Sequence, residues 1–399
     1  MKIGIIREGK TPPDSRVPLS PTQCAALLQQ GVDIKVQSSS VRCFSDEDYI
    51  KSGVPVVSEV HDCDILLGVK EVPLDMLIPD KTYFFFSHTI KAQPYNQKLL
   101  KTIVEKNIRL IDYEVLTDEA GKRVIAFGKF AGMVGAHNAL WTWGERTGSH
   151  QLPRMKDVYD YQAAKEIYAQ TDLPAVKIVL TGTGRVSTGA AQVLDDMGIH
   201  KVSPVEYVSK DFDHAVYTQL HCYYYAKRKD GQPFEDLKDF YANPQNYDSD
   251  FHHFLPHSDI MINGIYWDNK APAFFTRDQM RHKDYRIRVI ADVTCDIAPV
   301  SSIPSTLKAS TIAEPLFGYD PATHSETAPH GDEVIDMMTI DNLPNEMPRD
   351  ASAAFGDMFI EHVLPELSKE GSEMLTKATI AVDGNLGRDY EYLREYLEG

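Results

Sequence analysis

Short apolar runs alternate with amphipathic stretches along most of the chain. In the first third, five apolar runs predict strands, at residues 2–6, 32–37, 64–69, 82–86 and 108–113. Two amphipathic stretches, at 20–30 and 96–106, predict helices between them. Strands and helices that alternate at this spacing are typical of an α/β domain with a parallel sheet. The glycine- and alanine-rich stretch 130–144 predicts a closely packed helix that leaves this domain.

A second alternating region begins at Val176, after a polar connector. The apolar run 178–181, three nearby glycines and an amphipathic run predict a strand, a tight turn and a helix. We expect three further strands in this region, at 205–208, 260–263 and 289–293. The aromatic and charged segment 212–247 is too long for a simple connection and predicts an insertion. From residue 340, a proline-marked entry precedes another amphipathic helix.

Composition narrows the class of protein. The chain has 399 residues, 43% of them hydrophobic, so it is long enough for two or three domains with cores. A net charge of −17 argues against a nucleic-acid-binding surface. The five cysteines are scattered without a C-x-x-C pair, which favours a reducing compartment. The polar N-terminus and the absence of a membrane-length apolar run predict a cytoplasmic protein without a membrane partner.

The glycine turn after the strand at 178–181 is a candidate cofactor site. Glycine tolerates positive φ and lets a backbone approach a ligand closely, and a helix start presents unpaired N–H groups to a pyrophosphate. The candidate residues are those of the turn and of the helix start, Gly182, Thr183, Gly184, Arg185 and Val186. The third position of a standard G-x-G-x-x-G is Ser187 here, and Gly189 follows. An ordinary turn between a strand and a helix has the same composition, so the motif is weak by itself.

Polar residues follow the strands of the first region, where ligands bind in α/β sheets. They are Lys70 and Glu71 after 64–69, His88 after 82–86, and Glu114 after 108–113, with Arg16 and Arg123 in nearby loops. Each alone is commonly a solvated charge or a structural histidine. Because acid–base groups recur at one topological place, we expect Lys70 and His88 to be functional.

Two other kinds of site find little support. His252, His253 and His257 cluster near Asp259, but the spacing is not H-E-x-x-H and no cysteine lies close, so we expect no metal. A Ser-His-Asp hydrolase would need a G-x-S-x-G elbow, and the chain has none.

Taken together, these segments resemble the lysine–2-oxoglutarate reductase, or lysine-forming saccharopine dehydrogenase, family within the alanine dehydrogenase and transhydrogenase group. The matching segments include RVPLSP, LLGVKEVP, KTYFFFSHTIKAQ, IRLIDYE, GKRVIAFGKFAG, GTGRVSTGA, INGIYW, ADVTCDI, AEPLFGYD and IDNLPNEMPRDAS. The resemblance is closest to the reductase half of the bifunctional animal and plant enzyme, and we expect no fused second dehydrogenase.

The resemblance implies an α/β fold of two Rossmann-like domains with parallel sheets and a cleft between them. It implies a discontinuous first domain, 1–136 with 340–399, that binds substrate, and a second domain, 137–339, that binds the dinucleotide. It implies an oxidoreductase that joins L-lysine and 2-oxoglutarate to saccharopine, as a monomer or a homo-oligomer. An alanine-dehydrogenase-like or opine-type enzyme with another amine, or a non-catalytic NADP-binding regulatory protein, remains an alternative.

By resemblance, Lys70 and His88 match an acid–base pair. Arg16, Glu71, Glu114 and Arg123 match substrate-binding residues, and Asn263 and Asp292 lie in segments at the cofactor crevice. Glu71 is acidic, as in the fungal single-domain enzymes, whereas the bifunctional enzyme has a basic residue there.

Cofactor choice rests on the expected strand at 205–208. An NAD site usually has Asp or Glu at the end of the second strand, bonded to the ribose 2′-OH. Here that position is Val208, followed by Ser209 and Lys210, which favours NADP over NAD. Glu206 and Asp211 lie so near that an error of register would reverse this prediction.

Overall fold

The computed structural model describes residues 1–234 and 236–399 and divides into two compact units. The first unit is Met1–Phe127 with Pro348–Gly399, and the second is Gly128–Met347. The domain boundaries expected from the sequence were after residue 136 and before residue 340. The first boundary lies earlier because a single helix, Gly128–Thr147, belongs entirely to the second unit.

The N-terminal part of the first unit alternates strands and helices. Its strands are β1 (Lys2–Ile5), β2 (Asp33–Gln37), β3 (Val56–Val57), β4 (Ile65–Leu67), β5 (Thr82–Phe85) and β6 (Arg109–Asp112). Its helices are α1 (Pro21–Gln29), α2 (Asp46–Lys51) and α3 (Gln97–Glu105). Ser20 begins α1 with a capping box to Gln23, as the Ser-Pro start predicts.

The second unit is one continuous segment, Gly128–Met347, that directly follows Phe127 of the first unit. Its helices are α4 (Gly128–Thr147), α5 (Tyr161–Tyr168), α6 (Arg185–Asp196), α7 (Pro204–Ser209), α8 (Leu237–Ala242) and α9 (Arg277–Met280). Its strands are β7 (Lys177–Thr181), β8 (His200–Lys201), β9 (Val216–Leu220), β10 (Ala226–Arg228), β11 (Tyr247–Ser249), β12 (Ile260–Asn263), β13 (Val289–Asp292), β14 (Leu316–Asp320), β15 (Ser325–Thr327) and β16 (Ile335–Met338).

The chain then returns to the first unit. The returning helices and strands are α10 (Pro348–Met358), α11 (Leu364–Leu367), α12 (Glu373–Ala378), β17 (Thr379–Val382), β18 (Asn385–Leu386) and α13 (Arg394–Glu398). Phe355 and Phe359 from this segment lie in the same buried cluster as Ile3 and Phe84 of the N-terminal sheet. This apolar packing explains why the segment belongs to the first unit.

Each unit is built on an eight-stranded sheet. The strand orders are β18-β17-β6-β5-β4-β1-β2-β3 and β15-β14-β16-β13-β12-β7-β9-β8. Strands β1–β6 run parallel, and so do β7–β9, β12, β13 and β16. The α/β class with two Rossmann-like sheets is confirmed. The sheets are mixed, however, because β17, β18, β14 and β15 pair antiparallel at the edges.

One predicted strand is wrong. Residues 205–208 lie in helix α7, because Ser203 and Glu206 form a capping box around Pro204 at the first turn. The strand beside β7 is β9, within the segment predicted as an insertion, and it pairs Lys177 with Val216 through Thr181 with Leu220. The remainder of that segment holds the antiparallel pair β10–β11 and helix α8.

Helices α4 and α6 cross in backbone contact. A Cβ built on Gly132 would lie 1.8 Å from the Val186 carbonyl oxygen, and one on Gly189 would lie 2.0 Å from the Lys129 carbonyl oxygen. Glycine is therefore required at both positions for this approach. Gly189, the last glycine of the turn motif, serves helix packing rather than a ligand.

Candidate functional site

A cluster of polar side chains lies at the carboxyl edge of the first sheet. Lys70 and Glu71 follow β4, His88 follows β5 and Glu114 follows β6, while Glu8 follows β1. These strands are parallel neighbours, so their carboxyl ends share one edge. We call these five residues the strand-end cluster.

Glu71 lies between two basic side chains. Its Oε1 contacts His88 Nδ1 at 2.5 Å, and its Oε2 accepts a hydrogen bond from Lys10 Nζ at 2.8 Å. Burial raises the pKa of Glu71, but the hydrogen bonds from His88 and Lys10 outweigh it and hold the pKa at about 2. The ionised carboxylate can only accept, so His88 Nδ1 carries a hydrogen and the ring is oriented with Nε2 as its second functional nitrogen.

Lys70 is held through its backbone. Glu8 accepts the N–H of Val69 through Oε1 at 2.6 Å and the N–H of Lys70 through Oε2 at 2.9 Å. Burial, followed by the charge of Arg16, lowers the pKa of Lys70. Burial, followed by the charge of Asp14, raises the pKa of Glu8 to about 8. A lysine of lowered pKa and an oriented histidine at the same sheet edge can perform general acid–base chemistry.

The sequence did not single out Glu8. It stands in the charged loop after the first strand, and Lys70 and Glu71 were selected on the same kind of position. The position of Glu8 after a predicted strand could therefore have indicated it, although it lies in a run of charged residues with Arg7 and Lys10.

The two predicted arginines already have protein partners. Arg16 is 2% exposed and forms a bidentate pair with Asp14, with Nε–Oδ1 at 2.9 Å and Nη2–Oδ2 at 2.6 Å. Its guanidinium lies 4.3 Å from the Phe127 ring centre. Arg123 donates from Nε to the Ile125 carbonyl oxygen at 2.8 Å. A substrate carboxylate at Arg16 would therefore share it with Asp14.

The two carboxylate oxygens of Glu114 have different surroundings. Its Oε1 pairs with Lys91 Nζ at 3.4 Å. Its Oε2 is buried and has no hydrogen-bond partner within residues 1–234 and 236–399. A buried carboxylate oxygen without a donor is costly, so this oxygen favours a cationic or hydrogen-bonding ligand.

A cavity of about 330 Å³ lies at the carboxyl ends of β7, β9 and β12 in the second unit. It is lined by Gly182, Thr183 and Gly184 after β7, Cys222 and Tyr225 after β9, and Gly264, Ile265 and Tyr266 after β12. The chain leaves β7 for the edge strand β8 and later crosses to β12 on the other side of β7. Ligands of α/β sheets bind at such a change of direction.

The glycine turn fits a phosphate. Gly182 has φ +92°, and a Cβ there would lie 2.8 Å from Ser187 Oγ. Gly184 directly precedes α6, and no side chain in the described part of the chain caps this helix start. A Cβ on Gly184 would face open space. The backbone N–H groups of Arg185 and Val186 lie in the first turn, where an anion is favoured.

Asn263 and Asp292 are fully buried and bonded to each other. Asn263 Nδ2 donates to Asp292 Oδ1 at 2.8 Å, and Thr181 Oγ1 donates to Asn263 Oδ1 at 2.8 Å. Asp292 Oδ2 also accepts from Thr306 Oγ1 at 2.6 Å. These bonds join the ends of β7, β12 and β13. Direct cofactor contact by Asn263 and Asp292 stays a prediction.

Ser209 and Lys210 do not follow a sheet strand, which removes the basis of their prediction. Ser209 Oγ donates to the Val205 carbonyl oxygen at 2.7 Å, and Lys210 Nζ pairs with Glu206 at 3.0 Å, both within or next to α7. The residue that follows β9 is His221. The local capping signals of α7 override the short apolar run that suggested a strand.

One group of described residues has metal-ligand spacing: Asp250, His252 and His253, with ligand atoms within 4.8 Å of one another. Both histidines are exposed, and Lys227 Nζ occupies Asp250 Oδ1 at 2.9 Å. The acid near these two histidines is therefore Asp250 rather than Asp259. The expected absence of a metal stays a prediction.

The fold defines a class of protein. Solved L-alanine dehydrogenase covers the whole chain with a TM-score of 0.66 at 16% identity, and each chain is covered to 100%. A transhydrogenase from Sinorhizobium meliloti covers 96% of this chain and is itself fully covered, with a TM-score of 0.58 at 12% identity. These likenesses show an α/β fold of the alanine dehydrogenase type. Residues 4–134 match the family model of the alanine dehydrogenase/PNT N-terminal domain.

More similar sequences narrow the resemblance within that class. The chain is 31% identical to alpha-aminoadipic semialdehyde synthase of Arabidopsis thaliana, over 98% of this chain and 41% of that protein. It is 30% identical to the mitochondrial protein of that name from Bos taurus, over 96% and 46%. It is 27% identical to saccharopine dehydrogenase (NAD(+), L-lysine-forming) of Emericella nidulans, over 94% of both chains. The predicted resemblance to this group is confirmed, and the chain spans less than half the length of the two synthases.

Within the described residues, none of the helices combines the length and the apolar character needed to cross a bilayer.

Proposed function

We propose that this protein is an oxidoreductase that condenses L-lysine with 2-oxoglutarate and reduces the resulting imine to saccharopine, reversibly. The observation that carries the proposal is the strand-end cluster. It combines a lysine of lowered pKa, a histidine oriented by an ionised glutamate, and the unsatisfied buried oxygen of Glu114. The relatives named for lysine-forming saccharopine dehydrogenase activity give the substrate class.

The chemistry needs both an acid and a base. The ε-amine of lysine attacks the keto carbon only in its neutral form, so a base must take its proton. The carbinolamine oxygen must be protonated before water leaves, so an acid must donate to it. Lys70 and His88 Nε2 are the groups we assign to these transfers. The nicotinamide cofactor, when bound, supplies the hydride that reduces the imine carbon.

The other polar groups would bind the substrates. The two substrates bring three carboxylates between them, and Arg16 and Arg123 are the guanidinium groups we assign to them. Glu114 Oε2 would accept a hydrogen bond from a substrate ammonium group, which would satisfy its lone pairs. Glu71 would hold the His88 ring in place through the 2.5 Å contact.

The cofactor is assigned to the glycine turn and to the first turn of α6. We expect NADPH to be preferred over NADH. Val208, Ser209 and Lys210 do not support this preference, because they do not follow a strand of the sheet. The support is that His221, rather than an acid, follows β9. We also expect the protein to act in the cytoplasm, although the bovine relative is named as mitochondrial.

A panel of amines and keto acids tests the reaction. The purified protein is mixed with NADPH or NADH, one amine and one keto acid, and oxidation of the cofactor is followed by absorbance. Turnover that requires both L-lysine and 2-oxoglutarate is the expected result. Turnover with ammonia or another amine would indicate an alanine-dehydrogenase-like or opine-type enzyme. Cofactor binding without turnover of any pair would indicate a regulatory protein.

A further inference from the structure

The carboxyl end of β9 lies directly against the glycine turn. The Gly182 N–H donates to the Leu220 carbonyl oxygen at 2.9 Å, and Gln219 Nε2 donates to the Gly182 carbonyl oxygen at 3.1 Å. In dinucleotide-binding sheets, the residue that contacts the adenosine ribose 2′ position follows the strand next to the glycine-turn strand. Since β9 occupies that place here, the position belongs to His221 and its neighbours.

Two basic side chains share one face at this strand end. Side chains alternate along a strand, so Gln219 and His221 project to the same side of β9. Lys201, at the end of the edge strand β8, donates from Nζ to Gln219 Oε1 at 2.7 Å. Its ammonium group is exposed and is linked to the glycine turn through a single amide. An ammonium group, held through Gln219, and an imidazole, the first residue after β9, are therefore both placed near the glycine turn.

The His221 side chain is partly exposed and does not lie in a hydrophobic core. Its ring stacks on the half-exposed Tyr223, with centres 4.5 Å apart and planes at 20°. Its Nδ1 lies 3.4 Å from Cys222 Sγ. The ring lines an open hollow of about 550 Å³ together with Tyr223, Phe234, Asp236 and Leu237. Burial lowers the pKa of His221, so at neutral pH it acts as a hydrogen-bond donor while Lys201 supplies the charge.

Among the described residues that line this hollow, one is acidic. Asp236 lines it with His221, and its Oδ1 caps α8 by accepting the Asp239 N–H at 2.8 Å. Asp236 could accept a hydrogen bond from a free ribose hydroxyl, and it would repel a phosphate. It lies 15 positions after His221, beyond the turn and the β10 hairpin strand, whereas His221 is the first residue after β9. The arrangement therefore favours the basic pair as the nearer contact.

We propose that His221 and Lys201 recognise the 2′ position of the cofactor's adenosine ribose and accept a 2′-phosphate there. The inference rests on the proposed binding of a nicotinamide dinucleotide at the glycine turn, and it names the two residues that make that site selective for NADPH.

The test compares two ligands that differ only in the 2′-phosphate, adenosine 2′,5′-bisphosphate and 5′-AMP. Dissociation constants are measured by calorimetry on the full chain at fixed salt. For the wild type we expect the bisphosphate to bind about 10-fold or more tightly than 5′-AMP, the scale of a charge-assisted hydrogen bond. Lys201→Ala and His221→Ala should each reduce this ratio about 10-fold while leaving the affinity for 5′-AMP within about 3-fold.

Lys210→Ala is the matched control. Lys210 is also an exposed lysine, and it pairs with Glu206 on α7 rather than with the glycine turn. Its substitution should leave the ratio unchanged. Lys201→Arg retains the cation and should keep most of the selectivity. If Lys201→Ala binds neither ligand, selective binding by Lys201→Arg would still show that the charge at position 201 determines the ratio.

Three results would overturn the inference. These are equal or tighter binding of 5′-AMP by the wild type, a Lys201→Ala ratio equal to that of Lys210→Ala, or a failure of Lys201→Arg to bind the bisphosphate selectively. Different results would contradict the proposed function. Selective bisphosphate binding without turnover of lysine and 2-oxoglutarate would refute the substrates alone, and turnover with unselective nucleotide binding would refute this inference alone.

Discussion

The crossing of α4 and α6 provides a sharp test, because it holds the helix whose first turn we assign to the phosphates. In Gly132→Ala, the new Cβ would lie 1.8 Å from the Val186 carbonyl oxygen, 2.6 Å from its carbon and 3.0 Å from the Ala190 nitrogen. All three atoms are backbone, so no side chain can rotate away. A carbon prefers neighbours at about 3.5–4.0 Å, so the two helices must move apart by more than about 1 Å.

The expected free-energy change combines two opposing effects. Overpacking a close contact costs about 1–3 kcal/mol, and a backbone clash lies at the upper end of that range. Replacing glycine by alanine within a helix returns up to about 1 kcal/mol. We therefore expect Gly132→Ala to lower the free energy of unfolding of the second unit by about 2 kcal/mol. Gly128→Ala on the same helix is the matched control, because its Cβ would meet nothing closer than 3.5 Å.

Tryptophan fluorescence during urea unfolding isolates this unit. The three tryptophans of the chain, Trp141, Trp143 and Trp267, all lie in the second unit. With a urea slope of about 2–3 kcal/mol/M, Gly132→Ala should move the midpoint down by roughly 1 M. Gly128→Ala should move it little or slightly upward. Equal midpoints for the two variants would refute the close crossing of α4 and α6.

Three further predictions concern the proposed sites. Lys70→Met and His88→Gln should each lower turnover about 10²-fold or more, the scale of lost acid–base catalysis, while the dissociation constant of 5′-AMP stays unchanged. Near-normal turnover of Lys70→Met alone would make Lys70 a substrate-positioning residue. Steady-state kinetics should show a higher kcat/KM with NADPH than with NADH, and the reverse order would contradict the reading of the β9 end. The pKa of Glu71, held at about 2, is below its usual value of 4.5, so its ionised form stabilises the fold above pH 4.5 and this contribution is lost as the pH falls towards 2. Glu71→Gln should therefore lower the free energy of unfolding of the first unit at pH 7 by at most about 3 kcal/mol, and urea midpoints followed by circular dichroism should converge with those of the wild type as the pH falls. A difference that is constant with pH would show that the Glu71 charge contributes nothing.

The local pattern of the sequence determined most of the elements and the places of the candidate groups. Apolar runs bounded by turn residues predicted the central strands β1, β4, β5, β7 and β12, because a buried parallel strand must be continuously apolar. The glycine turn and the polar residues after the strands followed from the same pattern, since ligand sites lie at carboxyl ends. Lys70, Glu71 and His88 could thus be selected before any contact between them was known.

Only the tertiary structure decided which strand lies beside β7. Residues 205–208 and 216–220 each mix β-branched and aromatic residues with polar ones, and the sequence favoured the first. The capping box at Ser203 is a local signal that marks the first as a helix, whereas only hydrogen bonds with β7 make the second the sheet strand. The cofactor selectivity that we propose depends on that pairing, which joins residues about 40 positions apart and leaves no local signal.

The hydrogen bonds and the burial of the candidate groups were also decided by the tertiary structure. Nothing in the order of residues shows that Glu71 lies between His88 and Lys10, that Glu8 holds the backbone at Lys70, or that Glu114 Oε2 has no hydrogen-bond partner among the described residues. The sequence alone placed acids and bases at one edge of a sheet. The distances and burial that shift the pKa values of Glu8, Lys70 and Glu71 arise only when separate strands come together, because electrostatic interaction depends on separation in space and on exclusion of water.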